Sequence, residues 1–470
     1  MNNVTKIFGA PGCGKTTRLM AILETELKQV DPDKIAFCSF TRKGTYEGVQ
    51  RAQEQFKYTE NDLPYFHTLH SIAFRTGSYS KYDMISKADY KEFSDAMSMK
   101  FVGYYSEEFF NNDDKYLFLH FLKRNNLKAS ETFIEDLNFD IDMLKLDGVE
   151  RNFSRFKLHK KIVDFTDIIE AFIMRDEPLP VEVAIIDEAQ DLTTLQWRMC
   201  EVAFRNAKRV YVAGDDDQAI YEWNGADVHM FLSMAAQSQE ILQQSYRLQH
   251  QVLNVAKSIS QRIGTRVDKK FNAIGAAGTV NFYNDIDELK VNPDETYYFL
   301  SRNNYFLFLH REYLQKNGIV YMDKDKPSVD PRHIKAINDY ERARKRGKLT
   351  DVEEVSLKLY TQGTIDLSKP WFETLMLEPE QIIYYRDLIR LKSDVTSNKV
   401  MLNTIHGVKG GEADNVVLIM DFTKSVKLNM ERNPDAELRC LYVAVTRAKK
   451  NLHIIASTSK NGYDGYVRMR

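Results

Sequence analysis

The sequence predicts an α/β protein built on mainly parallel sheets, and three observations carry that expectation. Val4–Phe8, a short apolar run, leads through Gly9–Thr17 (Gly-Ala-Pro-Gly-Cys-Gly-Lys-Thr-Thr) into apolar residues at helical spacing, Leu19, Met20, Ile22, Leu23 and Leu27. Short apolar runs recur at Ile35–Phe40, Val181–Ile186 and Arg209–Ala213, and Val181–Ile186 is continuous enough for the middle of a parallel sheet. Helical periodicity fills the stretches between these runs.

The first element is the most informative. A strand, a glycine-rich turn and a helix start form the context in which G-x-x-x-x-G-K-[ST] cradles phosphate. Gly9, Gly12 and Gly14 let backbone N–H groups converge on an anion, and the helix start adds its positive end. Lys15 is then placed to reach the β- and γ-phosphates of a nucleotide, and the Thr16 hydroxyl, beside Thr17, to ligate Mg²⁺.

Length and composition set the bounds. A chain of 470 residues has room for about three domains. Its apolar and charged fractions, 43% and 28%, are ordinary for a globular protein. A net charge of −2 gives no bulk attraction to nucleic acid, so such binding needs a local patch. Cys13, Cys38, Cys200 and Cys440 form no CxxC pair, which points to a reducing compartment and away from zinc. No leader-like start and no long apolar run is present, so neither secretion nor membrane spanning is expected.

Along the chain, a helix is expected from about Thr45 to Gln55, and Phe66–His70 reads as a third short strand or strand end. An aromatic beside hydroxyl and basic groups there suits a base and a phosphate, although the stretch taken alone favours ordinary packing. Residues 77–156 read as a helical insertion whose aromatics, Phe109, Phe110, Tyr116 and Phe121 among them, suit a core better than a base-stacking platform. Asp164–Asp167 caps a further helix.

Val181–Ile186 ends in Asp187-Glu188. Two adjacent charges beside a hydrophobic core are poorly explained by folding. They suit a metal held by Asp187 and a water activated by Glu188, the bland alternative being a polar strand-end cap. Arg209–Ala213 runs into Gly214-Asp215-Asp216-Asp217-Gln218, where the Gln218 amide can sense a γ-phosphate, and Tyr221 and Trp223 follow on the same loop.

Taken in order, the phosphate loop, Ser39-Phe40-Thr41, Thr68-Leu69-His70, Asp187–Asp191 and Gly214–Gly225 resemble the motifs of UvrD-like superfamily 1 helicases (the UvrD/PcrA/Rep group). The resemblance continues through Gln244-Ser245-Tyr246-Arg247, Phe299–Asn303, Asn403–Glu412 and Leu441–Ala448. It implies two RecA-like P-loop domains, 1–76 with 157–240 and 241–327 with 396–470, each carrying a mostly helical insertion, 77–156 and 328–395. Tyr246 would stack on adenine, Glu412 lie near the ribose, and Arg247 and Arg447 act as arginine fingers on the γ-phosphate. Phe40, Thr41, Thr68, His70, Tyr221, Trp223, Thr404 and His406 would contact DNA.

The implied activity is an ATP- and Mg²⁺-dependent 3′–5′ translocase and helicase of replication, repair or recombination, a compact and phage-type member. The implied partners are single-stranded DNA, single/double-strand junctions, and single-strand-binding or replication and repair proteins. The implied location is cytoplasmic, at the nucleoid or in the host of a phage. Two other readings stay open: a translocase that strips nucleoprotein with little unwinding, and a nucleotide-gated binding switch or loader.

The chain also departs from the family pattern. Only eight residues precede Gly9, so the upstream helix whose glutamine reads adenine is expected to be missing. Asn224 stands where a basic residue is usual, and Gly411 where a leucine is expected. The insertion at 328–395 is smaller than the family's accessory domain. Its run Arg342–Lys348 could touch phosphates or form a solvated face.

Overall fold

Val4–Gly9 (β1), Ile35–Ser39 (β2), Val183–Asp187 (β3), Arg209–Gly214 (β4) and Ser238–Leu242 (β5) pair in the order β2-β3-β4-β1-β5, every pair parallel. The computed structural model describes residues 3–39, 42–103, 113–126, 141–275, 277–361 and 365–467. Phe40, Thr41, Phe109 and Phe110 lie outside the described residues.

Strands β1 to β4 are mostly apolar because both faces are covered, whereas the edge strand β5 (Ser-Gln-Glu-Ile-Leu) is polar and partly exposed. Phe8, Ala36, Cys38, Ala184, Ile186, Val210 and Val212 meet the helices Leu69–Thr76, Phe165–Arg175 and Thr194–Ala203 on one side. Ile7, Ile35, Phe37, Val183, Ile185 and Ala213 meet Lys15–Glu26 and Arg42–Phe56 on the other. A strand's period of two thus sorts each residue to one of two cores.

A second sheet contains Thr279–Tyr283 (β6), Tyr297–Ser301 (β7), Met322–Asp323 (β8), Lys326–Pro327 (β9), Val400–Thr404 (β10), Ala413–Ile419 (β11) and Ala448–Ile455 (β12). Their order is β6-β12-β11-β7-β10-β8-β9, parallel except for the β8–β9 hairpin. The chain divides into two compact units, residues 1–277 with 425–443 and residues 278–424 with 444–470. Residues 241–277 and 425–443 thus fall with the first unit, whereas the sequence division placed them with the second. The physical reason is bonding: Ser245 and Tyr246 are tied to the phosphate loop, and Arg439 to the loop after β4.

The two insertions differ in kind. Lys87–Met97, Asp114–Asn125 and Met143–Lys160 build their own core from Phe93, Phe101, Leu117, Phe118, Leu122, Val149 and Phe153, as the sequence reading expected of its aromatics. In 328–395, by contrast, Ile337, Tyr340, Trp371, Tyr384, Tyr385 and Leu388 share one core with Tyr297, Phe299, Leu402, Val417 and Ile455 of the sheet. The basic run there is ion-paired, Arg342 to Asp339 and Arg344 to Glu341 at 3.3 Å along its helix, and Arg346 to Glu353 of the next helix. It is a solvated face.

Phe66–His70 is not a strand. Thr68 takes an extended conformation and its Oγ1 accepts the Ser71 N–H at 3.3 Å, capping the helix Leu69–Thr76. Phe66 is core, stacked 6.0 Å from Phe37. The capping box at Asp164 and Asp167 is formed as expected. Among the described residues, no helix is long and apolar enough to cross a membrane.

His310 is fully buried against Phe299, its ring edge-on at 5.1 Å and its Nε2 2.9 Å from the Leu300 carbonyl. Burial pushes its pKa down to about 4. The unfolded chain therefore binds a proton between about 6.5 and 4 that the folded chain refuses. Stability from this group is full above that window and falls through it, by on the order of 3 kcal/mol. Urea midpoints measured from neutral to acid pH should decline for the wild type and decline less for His310→Gln. An equal decline would remove His310 from the acid response.

Candidate active site

In the first unit the carboxyl ends of β1, β3 and β4 lie along one edge of a parallel sheet, the edge at which such sheets bind ligands. Beyond β1, Gly12 and Gly14 adopt φ of +72° and +76°, which only glycine takes without strain, and the helix begins at Lys15. Lys15 Nζ donates to the Gly9 carbonyl at 2.7 Å, and a Cβ on Gly9 would come within 2.8 Å of the Lys15 side chain. Thr16 is half-buried and Thr17 exposed at the start of that helix.

Residues after β5 fold onto this loop. Ser245 Oγ donates to the Pro11 carbonyl at 2.9 Å, and the Tyr246 N–H donates to the Gly12 carbonyl at 2.8 Å. A Cβ on Gly12 would sit 2.4 Å from the Arg247 Cβ, so glycine there makes room for the arginine. The Tyr246 ring passes 3.9 Å from where a Gly14 Cβ would lie and is 68% exposed, a flat surface beside the phosphate cradle. Lys15, Tyr246 and Arg247, far apart in sequence, are thus brought to one loop.

Beyond β3, Asp187 is buried and its Oδ1 accepts the Glu188 N–H at 2.9 Å. Glu188 has a φ of +52°, unusual for a residue with a side chain, and its Oε2 accepts from Gln190 Nε2 at 2.5 Å. The sequence pattern assigns no role to Gln190, which lies within Asp187–Asp191. Its Oε1 accepts the Asp215 N–H at 3.0 Å, so one amide ties the end of β3 to the end of β4. Gly214 permits this, because a Cβ there would lie 2.6 Å from Gln190 Oε1.

The loop after β4 rests on charges that the sequence reading missed. Asp215, Asp216 and Asp217 are all fully buried. Lys269 Nζ reaches Asp215 at 2.9 Å, Asp217 at 3.0 Å, and Asp216. Arg266 forks onto Asp217 at 2.8 and 2.9 Å. Burial opposes the Asp215 carboxylate, but Lys269 and then Lys15 outweigh it and hold its pKa below the usual range. Asp216 goes the other way: burial, with Asp217 and Asp215 beside it, raises its pKa against the pull of Lys269. Arg439 donates to the Asp216 carbonyl at 3.0 Å and the Thr265 carbonyl at 2.7 Å, and pairs with Glu222 at 2.5 Å. Gln218 Nε2 donates to Asp215 Oδ2 at 2.7 Å, so the amide proposed to sense phosphate is oriented by this cluster. Nothing in the local pattern around Lys269 or Arg439 marks either residue.

In the second unit, buried Arg447 donates to the Gly411 carbonyl at 3.1 Å, next to Glu412. A side chain at Gly411 would have to displace the Tyr298 ring, whose hydroxyl would lie 2.5 Å from its Cβ. Asn403 Oδ1 accepts the Thr404 N–H at 2.8 Å, and Thr404 Oγ1 the Gly407 N–H at 3.4 Å, which shapes the turn carrying His406.

The UvrD/REP helicase N-terminal domain matches residues 1–239, more than half of the chain, and the UvrD-like helicase C-terminal domain matches 332–459. The chain belongs to the UvrD-like helicase family. ATP-dependent DNA helicase PcrA of Staphylococcus epidermidis is 26% identical over 310 residues, 60% of this chain and 41% of that protein. PcrA of Staphylococcus aureus is 25% identical over 351 residues, 67% and 44% of the two chains. This chain therefore spans less than half the length of these curated relatives. An arterivirus nonstructural protein 10 helicase aligns over 99% of this chain and 62% of its own at TM-score 0.39 and 11% identity, too slight a likeness to bear on the fold.

In this UvrD-like chain the residues expected on DNA are placed unevenly. Thr68 spends its hydroxyl on a helix cap. His70 packs edge-on against Phe165 at 5.6 Å, and burial takes its pKa down to about 4, so at neutral pH it offers a hydrogen bond and no charge. Trp223 is half-buried, 6.3 Å from Phe118 of the helical insertion, so it joins the loop after β4 to that insertion's core. Tyr221, Thr404 and His406 are half-buried at the turns described.

Proposed function

We propose that this chain hydrolyses ATP to move 3′→5′ along single-stranded DNA and to separate duplex at its junctions, in replication, repair or recombination. One observation carries the reading. The phosphate loop, the Asp187-Glu188 pair and Gln218 all lie at the carboxyl edge of one parallel sheet, with Arg247 packed on the loop.

In this reading backbone N–H groups of Gly12–Thr16 and the Lys15 ammonium hold the nucleotide's phosphates, and Tyr246 stacks on its base. Thr16 and Asp187 fit Mg²⁺, which favours one or two protein oxygens alongside phosphates and water. When bound it would neutralise charge on the phosphates. Glu188 takes a proton from the attacking water, Gln218 senses the γ-phosphate, and Arg247 and Arg447 stabilise its developing charge. Thr404 and His406 hold the strand's backbone.

ATP turnover with and without single-stranded DNA, followed by displacement from tailed duplexes, tests the proposal. Strand-stimulated turnover and displacement that needs a 3′ tail are expected. Turnover indifferent to DNA would replace the motor with a switch, and a requirement for a 5′ tail would reverse the direction.

A further inference from the structure

We propose that Tyr305, braced by Phe308, is a base-stacking contact for single-stranded nucleic acid in the second unit. The inference rests on the reading that this chain grips a DNA strand, and adds a contact that no motif of the sequence marks. Tyr305 is 68% exposed and Phe308 42%. The helix Leu307–Lys316 buries Leu307, His310, Tyr313 and Leu314, and that face accounts for its packing. Folding leaves the two exposed rings without a use.

Their position supplies one. Tyr305 lies four residues beyond β7, and β7 runs parallel to β10 with Ser301 opposite Thr404. The Ile405 N–H donates to the Ser301 carbonyl at 3.1 Å, so the turns after the two strands emerge side by side. One turn carries Thr404 and His406, the other Tyr305.

The turn is also stiff. Ser301 Oγ donates to the Asn303 carbonyl at 2.8 Å, Asn303 Oδ1 accepts the Thr423 N–H at 3.1 Å, and the Phe306 N–H returns to the Asn303 carbonyl at 3.1 Å. Phe306 and Phe308 meet the Tyr305 ring at 85° and 66°, with centroids 5.1 and 5.6 Å away, so neither lies parallel on it. A ring held at its surroundings by crossed neighbours on a rigid turn loses little freedom when a base stacks on it.

Charge favours a polyanion over an acidic or apolar partner. Residues 297–311 and 399–411 contain no Asp or Glu, and the turn that carries Thr404 and His406 continues to Lys409. In a chain of net charge −2 this carboxylate-free edge with its lysine suits the phosphates of a strand.

The test is binding of a labelled oligothymidylate by fluorescence anisotropy, alongside a sugar–phosphate strand of equal length that lacks bases. Tyr305→Ala should weaken oligothymidylate binding by roughly 5- to 100-fold, the span of one stacked base. It should leave the abasic strand and the unfolding midpoint unchanged. Tyr305→Trp should restore affinity, with indole emission quenched on binding. Unchanged oligothymidylate affinity in Tyr305→Ala, or an equal loss on the abasic strand, overturns the stacking contact alone. A wild-type chain that binds neither strand overturns the motor reading as well.

Discussion

Glu188→Gln should lower DNA-stimulated ATP turnover by ~10²–10⁴-fold while nucleotide binding and fold stay intact. The side chain emerges from a buried strand on a left-handed residue and faces the Gln190 amide. Glutamine matches its size, and its carbonyl oxygen can still accept from Gln190 Nε2, so the tie from β3 to Asp215 survives. Basicity is what disappears. Phosphate release gives the turnover, and a fluorescent ATP analogue gives the binding. Residual turnover above about a tenth of wild type would mean that another group takes the proton.

Lys269→Met should have the largest effect on stability, a loss of ~3–5 kcal/mol, because it strips the shared cation from three carboxylates that no water reaches. Arg266 would still serve Asp217, leaving Asp215 and Asp216 exposed to the cost of burial. The pH dependence separates this from lost packing. In the wild type Asp215 is depressed, so its contribution is full above the unfolded pKa and fades as pH falls. In the variant the largest charge opposing burial is gone, with Lys15 and Gln218 left at Asp215 and the Val267 N–H at Asp216. Both carboxylates therefore destabilise more as pH rises through and above the unfolded value. The deficit in urea midpoint should therefore shrink from neutral toward acid pH. A deficit constant with pH would assign the loss to packing.

The parts legible in the sequence were those coded locally. A phosphate loop states its own chemistry in nine residues, and strands buried on both faces appear as unbroken apolar runs. Phe66–His70 misled because alternating apolar and polar residues imitate a strand, while the decisive bond is a Thr68 hydroxyl on one N–H. Lys269 and Arg439 were illegible for a different reason. Each neutralises a loop about 50 or more than 200 residues away, and only the fold sets that pairing. Gln190 stood in plain view, but its bond to the end of β4 depends on Gly214 being bare.

The two insertions have unequal autonomy. The helices of 77–156 own a core, tied to the first sheet's layer by Trp223 and by Arg124 and Lys157 on Asp164 and Asp167. Opening them breaks those ties and leaves the sheet's own two cores packed. Those of 328–395 have no such independence. Tyr340, Trp371 and Tyr385 are part of the packing that keeps Phe299 and Leu402 dry, and opening them floods the second sheet. Subglobal opening is therefore available to the first insertion and closed to the second, which can leave its sheet only when the whole second unit unfolds.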